Sequence, residues 1–100
     1  MPPPTGELAS AQQALMRADG ADADQYAPQE ISLARRGLEQ AQAAMANGRE
    51  DDARRLALMA AADADLAHAR SREALAMAEL SQRRAEINEL QDRLQTGGRP

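Results

Sequence analysis

The sequence predicts an all-α protein, an antiparallel helical hairpin or three-helix bundle with one very long C-terminal helix. The first observation is composition: 24 of the 100 residues are Ala, all twelve basic residues are Arg, and Phe, Trp, Val and Cys are absent. Ala, Leu, Met, Gln, Glu and Arg favour helices, whereas the β-branched and aromatic residues that favour strands are scarce. The second observation is the distribution of Gly and Pro, which divide the chain into three segments and leave the last one uninterrupted.

The stretch from Arg49 to Leu94 dominates the chain because it contains neither Gly nor Pro. Its residues follow the seven-residue a/d pattern of a coiled coil, here named the heptad seam. The a positions of the heptad seam are Met59, Leu66, Glu73, Leu80, Ile87 and Leu94, and its d positions are Ala62, Ala69, Ala76, Arg83 and Leu90. At ~1.5 Å per residue this helix is roughly 65–70 Å long, so a small globule cannot cover it.

The first helix is predicted over residues 5–24, after a disordered or polyproline lead-in at residues 1–4. Thr5 suits the N-cap position, and Glu7 lies in the first turn, where the helix dipole favours an acidic residue. The predicted apolar stripe is thin and consists of Leu8, Ala11, Leu15 and Ala18. The helix is expected to fade between Gly20 and Asp24.

The second helix is predicted over residues 28–47. Pro28 suits its first position because the missing N–H needs no partner there, which places Ala27 at the N-cap. Tyr26 before the cap and Ile31 at the fourth helical position have the spacing of a hydrophobic staple. We therefore predict that Tyr26, Pro28 and Ile31 are structural anchors. The predicted stripe of this helix is Ile31, Ala34, Leu38, Ala41 and Met45.

Gly48 is the fourth predicted anchor, because a glycine supplies the left-handed residue that ends many helices. The third helix is predicted over residues 50–94 and runs antiparallel to the second, since the turn between them is short. At ~30 Å the second helix covers only the first half of the third. Residues 5–95 then form a single domain, and residues 96–100 are a linker or tail.

The distal part of the heptad seam has no cover within one chain. We therefore predict a homo-oligomer, in the simplest case a dimer, and the sequence leaves its parallel or antiparallel orientation open. The predicted interface residues are Leu80, Ile87, Leu90 and Leu94. Glu73 and Arg83 in the same seam either specify the register of the oligomer or mark where the seam meets water.

Composition excludes several function classes. A net charge of −4 and a single aromatic residue argue against a nucleic-acid surface. Without Cys there is no disulfide, thiolate zinc site or thiol catalysis. No apolar run approaches the ~20 residues of a membrane span. No signal peptide is visible. Met1 followed directly by three prolines is typical of an artificially shortened start, so we expect that any native export signal has been removed.

The polar residues predict neither an active site nor a bound metal or cofactor. His68 is the only imidazole, and with Asp65 one turn earlier it provides two ligands, too few for a metal site. The four serines lack a base at a diagnostic spacing. The acidic cluster before Tyr26 lacks the Gly and terminal Glu of a calcium loop, so we interpret it as a solvated helix end. It consists of Asp19, Asp22 and Asp24.

The run from Leu8 to about Met77 resembles the domain-of-unknown-function family numbered 4398. The resemblance is carried by Tyr26-Ala27-Pro28-Gln29-Glu30, Leu33-Ala34-Arg35-Arg36-Gly37-Leu38-Glu39-Gln40-Ala41, the Gly48 turn, Asp52-Ala53-Arg54-Arg55-Leu56-Ala57 and Ala62-Asp63-Ala64-Asp65-Leu66-Ala67. Where the family pattern places an acidic cap and an aromatic residue after the turn glycine, this chain has Arg49 and Glu50. The resemblance implies a non-catalytic module of a bacterial envelope protein, often a lipoprotein that also carries a peptidoglycan-binding domain.

Two functions remain after these exclusions. The first is a non-enzymatic helical spacer or protein-interaction module of the cell envelope that associates with itself, and with a possible envelope partner, through the third helix. The resemblance implies that such a module is periplasmic, with outer-membrane anchoring as a lipoprotein in the full-length protein. The alternative is a tetratricopeptide-like module that binds peptides or proteins, although such arrays need about three repeats and one is visible.

Overall fold

The computed structural model describes residues 2–97, which form four helices and no strand. The helices are α1 (Thr5–Gly20), α2 (Ala23–Tyr26), α3 (Pro28–Ala46) and α4 (Glu50–Gly97). The all-α prediction with one long C-terminal helix is thereby confirmed. The molecule measures 80 × 19 × 13 Å, and its radius of gyration is 21.3 Å. A compact domain of this length would have a radius of gyration of about 13 Å, so the chain is a rod.

The hairpin between α3 and α4 follows the local rules of helix termination. Ala27 is the N-cap of α3 and Pro28 occupies its first turn, as predicted. Gly48 has φ +75°, the left-handed conformation predicted for it. The Arg49 N–H donates to the Ala44 carbonyl at 2.8 Å, and the Gly48 N–H donates to the Met45 carbonyl at 3.1 Å. These two bonds form a Schellman motif, which satisfies the last carbonyls of α3 and turns the chain back.

Residues 21–27 connect α1 to α3 through a bend, here named the elbow, and do not continue the first helix. The first helix was predicted over residues 5–24 with a fading end from Gly20, and α1 ends at the start of that region, at Gly20, after which Asp22 adopts φ +59°. Asp tolerates the left-handed region better than most residues do. The single turn of α2 follows, and Ala23 within it and Ala27 directly after it are 0% and 1% exposed. The elbow thus redirects the chain while it extends the core.

The core lies between α4 on one side and α1 and α3 on the other, and it is built almost entirely from alanine. The α4 face, here named the alanine seam, consists of Ala53, Ala57, Ala60, Ala64, Ala67 and Ser71. Against it are buried Ala11, Ala14 and Ala18 of α1 and Ile31, Ala34, Leu38, Ala41 and Ala44 of α3. The predicted stripes of α1 and α3 are largely confirmed. Leu8, Leu15 and Met45 are only half-buried.

The heptad seam does not contribute to this core, although its first half lies in the part of the third helix that the second helix was predicted to cover. Met59 and Leu66 lie beside the bundle yet remain 57% and 45% exposed. The alanine seam occupies the b and f positions of the same heptad, on the opposite side of α4. Small side chains let helix backbones approach closely, whereas Leu or Met at these contacts would hold the helices apart.

The packed part of α4 ends at Ser71, whose hydroxyl is buried and donates to the Ala67 carbonyl at 2.7 Å. Ala74 is half-buried, and every residue from 75 to 97 is exposed. We name residues 75–97 the overhang. Leu80, Ile87 and Leu90 are 50%, 53% and 56% exposed, and Leu94 is 78% exposed. The prediction that one chain leaves these side chains uncovered is therefore confirmed.

Both predicted terminal segments need correction. Pro4 of the lead-in is buried, and its carbonyl accepts the Leu8 N–H at 3.0 Å. The Pro2 carbonyl accepts a hydrogen bond from the Arg54 guanidinium, so residues 2–4 are held against α4. The predicted linker at residues 96–100 begins too early, because α4 continues to Gly97. Met1 and residues 98–100 lie outside the described residues.

Candidate interaction surface

The heptad seam forms an exposed apolar surface that runs the length of α4. On a helix of 3.6 residues per turn, its distal part lies roughly 140° around the axis from the alanine seam. The side chains that carry it are Met59, Leu66, Leu80, Ile87, Leu90 and Leu94, each at least 45% exposed. One face of α4 is therefore used for the fold, and the opposite face carries large apolar side chains that the described residues leave exposed.

The accessible area shows how much surface the chain leaves uncovered. The chain exposes 7069 Å² at a mass of 10.7 kDa. A compact protein of that mass exposes roughly 5,500 Å². The excess is of the order of the total area that a specific protein interface buries, roughly 1,200–2,000 Å². The rod shape and the overhang account for this excess.

Two charged residues interrupt the apolar surface of the heptad seam. Glu73 occupies an a position just past the end of the core, and Arg83 occupies a d position in the overhang. Both side chains are exposed. Within residues 2–97 neither one forms an ion pair, although Arg93 in the same overhang is paired with Glu89 at 2.6 Å. Both ends of a complementary pair are thus present on one face without an intramolecular partner.

Ion pairs between the helices lie beside the core and link α1 and α3 to α4. Arg17 of α1 contacts Asp65 at 3.5 Å, and Glu30 of α3 contacts Arg70 at 3.0 Å. The Arg17–Asp65 pair is mostly exposed and so contributes little stability. Its geometry nevertheless matters for the sequence-based candidates, because Asp65 is paired with Arg17. No hydrogen bond joins Asp65 to His68 among the described residues.

The elbow contains a polar cluster that the sequence did not predict. The Arg35 guanidinium donates to Asp19 at 2.7 Å and to both carboxylate oxygens of Asp24 at 2.7 and 3.1 Å. The hydrogen bond from Arg35, together with its charge, lowers the pKa of Asp24 below its usual 3.8, against a smaller opposing effect of desolvation. Asp19 and Asp24 are therefore bound by Arg35 of α3, and they are not simply a solvated helix end.

A cleft of about 570 Å³ opens where α1 ends and the overhang begins. It is open to solvent and is lined by Arg17, Gly20, Ala21, His68, Arg72, Leu75, Ala76 and Glu79. The lining provides no Ser, Thr or Cys nucleophile beside the imidazole. Among residues 2–97, no three His, Cys, Asp or Glu side chains come together as metal ligands would. The cleft adjoins the heptad seam at Ala76. It lies where α1 ends and α4 continues beyond the bundle.

The four predicted anchors lie at the two connections of the bundle. Ile31 is 1% exposed and packs with Ala18, Ala23, Ala27 and Ala67. Pro28 is exposed at the start of α3, and Tyr26 is half-buried at the end of α2. The staple contact between the Tyr26 ring and Ile31 remains a prediction.

Comparison with known proteins adds one match. The family model described as Domain of unknown function (DUF4398) matches residues 6–83. The resemblance between Leu8 and Met77 is therefore confirmed, and the match extends beyond Met77 to Arg83. No curated protein and no solved structure matches the chain. None of the helices within residues 2–97 has the combination of length and apolarity needed to cross a bilayer.

Proposed function

Because the chain belongs to the DUF4398 family over residues 6–83, we propose that it is a non-enzymatic helical spacer and protein-interaction module of the bacterial cell envelope. It associates with itself through the heptad seam. The observation that carries this proposal is the exposed row of Leu and Ile on the face of α4 opposite the core, which only Glu73 and Arg83 interrupt. Scattered exposed apolar residues are ordinary, whereas a contiguous row of them marks an interaction site.

The rod shape supports the spacer part of the proposal. A helix of 48 residues holds its two ends far apart, and the molecule is 80 Å long. Neither Gly nor Pro interrupts α4 between Glu50 and Thr96, so the helix has none of the usual causes of a kink. The non-enzymatic part rests on what the family resemblance implies.

The tetratricopeptide-like alternative has less support from the shape. Those repeats pair two helices within about 34 residues and stack several copies. Here α3 has 19 residues and α4 has 48, so the hairpin does not repeat a unit of that size. The unequal helices favour a rod with one interaction face.

Self-association is tested by light scattering after gel filtration at micromolar concentration. The parent protein is expected to have at least twice the 10.7 kDa mass of one chain. The double variant Ile87→Asp and Leu94→Asp should be monomeric, because the charges would be buried in the interface. Ala78→Asp with Ala85→Asp is the matched control, since it adds the same charges to the opposite face of the overhang. A monomeric parent would overturn self-association, as would equal masses for the two double variants.

The envelope assignment rests on what the family resemblance implies, and it has a separate test. After cell fractionation, the full-length gene product, detected by antibody to this domain, is expected in the periplasmic and outer-membrane fractions. A cytoplasmic enzyme and a known periplasmic protein serve as fractionation markers. Recovery of the protein with the cytoplasmic marker would contradict the assignment and would leave the self-association result untouched.

A further inference from the structure

We propose that the occupant of the heptad seam is a second copy of this chain running antiparallel, in the register that places Glu73 opposite the partner's Arg83. This inference rests on the proposed self-association and adds its orientation and register. A two-fold symmetric dimer makes each contact twice, so the partner's Glu73 also meets Arg83. The charges that interrupt the seam in one chain are then complementary in the pair.

The charges in the heptad seam discriminate between the two orientations. A parallel pair in register places each a position against the same a position, so Glu73 would face the partner's Glu73 and Arg83 would face the partner's Arg83. Two layers of like charge would then sit in the interface. An antiparallel pair places a positions against d positions, which allows Glu73 to meet the partner's Arg83. Like charges brought together in an interface are strongly unfavourable, and opposite charges fix the register.

The same register also matches side-chain sizes along the seam. Once Glu73 faces the partner's Arg83, each remaining layer follows from steps of seven residues. Leu80 meets the partner's Ala76, Ile87 meets the partner's Ala69, Leu94 meets the partner's Ala62, and Leu66 meets the partner's Leu90. Three of these four layers combine a large residue with alanine, which lets large and small side chains interdigitate at close helix spacing. A shift of one heptad in either direction would instead place both charges against apolar residues.

Charges beside the seam do not reverse this choice. A parallel pair would bring Asp65 near the partner's Arg70, but these side chains are already engaged with Arg17 and Glu30 inside each chain. Its other complementary contact, between Glu79 and the partner's Arg84, is balanced in the antiparallel pair by Arg72 beside the partner's Glu86. The antiparallel pair also brings Asp65 near the partner's Arg93, and it makes two kinds of like-charge contact, Arg70 with the partner's Arg84 and Glu79 with the partner's Glu79. Such rim contacts are solvated and weak, so the charges within the seam decide.

The antiparallel register gives each overhang a defined place. It lies along the outward face of the partner's α4, beside the part that carries the bundle, and the two bundles sit at opposite ends. The two-fold axis of the dimer passes beside Ala78, which is 28 residues from Glu50. At ~1.5 Å per residue the two Glu50 positions are then roughly 80 Å apart. In a parallel pair they would be separated by about 10 Å, the usual distance between packed helices.

Disulfide trapping distinguishes these arrangements, because the chain has no cysteine of its own. One protein carries Ala62→Cys, and a second protein of different tag length carries Leu94→Cys. Mild oxidation of the mixture is expected to give the mixed disulfide, while each protein alone remains largely uncrosslinked. Efficient crosslinking of Ala62→Cys to itself would establish a parallel pair and overturn the inference. A dimer that forms neither disulfide would overturn the register.

Charge exchange provides a second measurement. Glu73→Arg alone and Arg83→Glu alone should each raise the dimer dissociation constant roughly tenfold or more, since each creates two like-charge contacts. The double exchange Glu73→Arg with Arg83→Glu should restore it to within about threefold. A parallel pair predicts no such rescue, because its layers stay like-charged in every variant. A monomeric parent would refute the proposed self-association itself, whereas a dimer without rescue would refute only this arrangement.

Discussion

A Cβ placed on Gly37 of α3 would lie 3.2 Å from the Cβ of Ala60 on α4. Such a separation is tighter than ordinary van der Waals contact, and the Ala60 Cα would lie at 3.5 Å. Ala60 is 2% exposed, and its Cβ is fixed to the helix backbone, so it cannot turn aside. The two helices therefore cross at a point where one of them has no side chain.

Gly37→Ala is accordingly expected to lower the free energy of unfolding by roughly 0.5–2 kcal/mol. Alanine gains roughly 0.5–1 kcal/mol over glycine in helix propensity, but separating two packed helices costs roughly 1–3 kcal/mol. From the sequence alone an exposed Gly37 would have predicted the opposite sign. Urea unfolding at fixed protein concentration measures the difference.

Gly20→Ala is the matched control for this prediction, because a Cβ there meets nothing within 4 Å. It should gain up to roughly 1 kcal/mol from the same propensity effect. Ala60→Gly removes the opposing Cβ. In an Ala60→Gly background, Gly37→Ala should therefore lower the free energy of unfolding by less than it does in the parent. A Gly37→Ala protein as stable as the parent would show that the helices can move apart without cost.

The Arg35 cluster predicts a loss of stability in acid. Because Arg35 lowers the pKa of Asp24 below 3.8 in the folded protein, the carboxylate stabilises the fold above pH 3.8. That contribution disappears as the pH falls through the lowered value. Arg35→Gln should return the Asp24 pKa towards 3.8 and flatten the acid part of the stability curve, as measured by carboxyl NMR titration and by urea unfolding.

Arg36→Gln is the appropriate control, because Arg36 is an exposed neighbour that forms no ion pair within residues 2–97. It removes the same charge but should leave the Asp24 titration unchanged. If both variants shift that titration equally, the effect comes from net charge and not from the guanidinium at 2.7 Å.

Tyr26 is expected to stabilise the elbow through its ring and not through its hydroxyl. The side chain is half-buried at the end of α2, which corresponds to roughly 1–2 kcal/mol at ~25 cal/mol per Å² of apolar area. Tyr26→Phe should therefore unfold within about a degree of the parent. Tyr26→Ala should melt at least ~4 °C lower. Coincident melting curves for parent and Tyr26→Ala would assign the ring to partner binding instead.

Local chemistry predicted the ends of α3 correctly, because it depends on neighbouring residues alone. Pro28 has no N–H to satisfy in the first turn, and Gly48 adopts the left-handed conformation at no steric cost. The Arg35 cluster was out of reach for the same type of reasoning. Asp24 approaches Arg35 only after Asp22 has turned the chain at φ +59°, and an Asp in that conformation is not predictable from the sequence.

The inner face of α4 could not be chosen from periodicity, because this helix carries two seven-residue repeats. The larger side chains follow one repeat, and alanines such as Ala57 and Ala64 follow the other. Both repeats satisfy the geometry of helix packing, so the pattern predicted the period and missed the face. The size of the opposing side chains decides which face of α4 is packed. The packed faces of α1 and α3 consist mainly of alanine, and close contact with them requires alanine on α4.

The end of the core at Ser71 divides one continuous helix into two parts of different local stability. Amides before this residue open only when the bundle separates, so their hydrogens should exchange with solvent at rates set by global unfolding. Amides in the overhang of an isolated chain have no tertiary contact to protect them, and they should exchange by fraying from the C-terminus. A partner that covers the overhang would therefore slow exchange there by many-fold, although no residue changes its secondary structure.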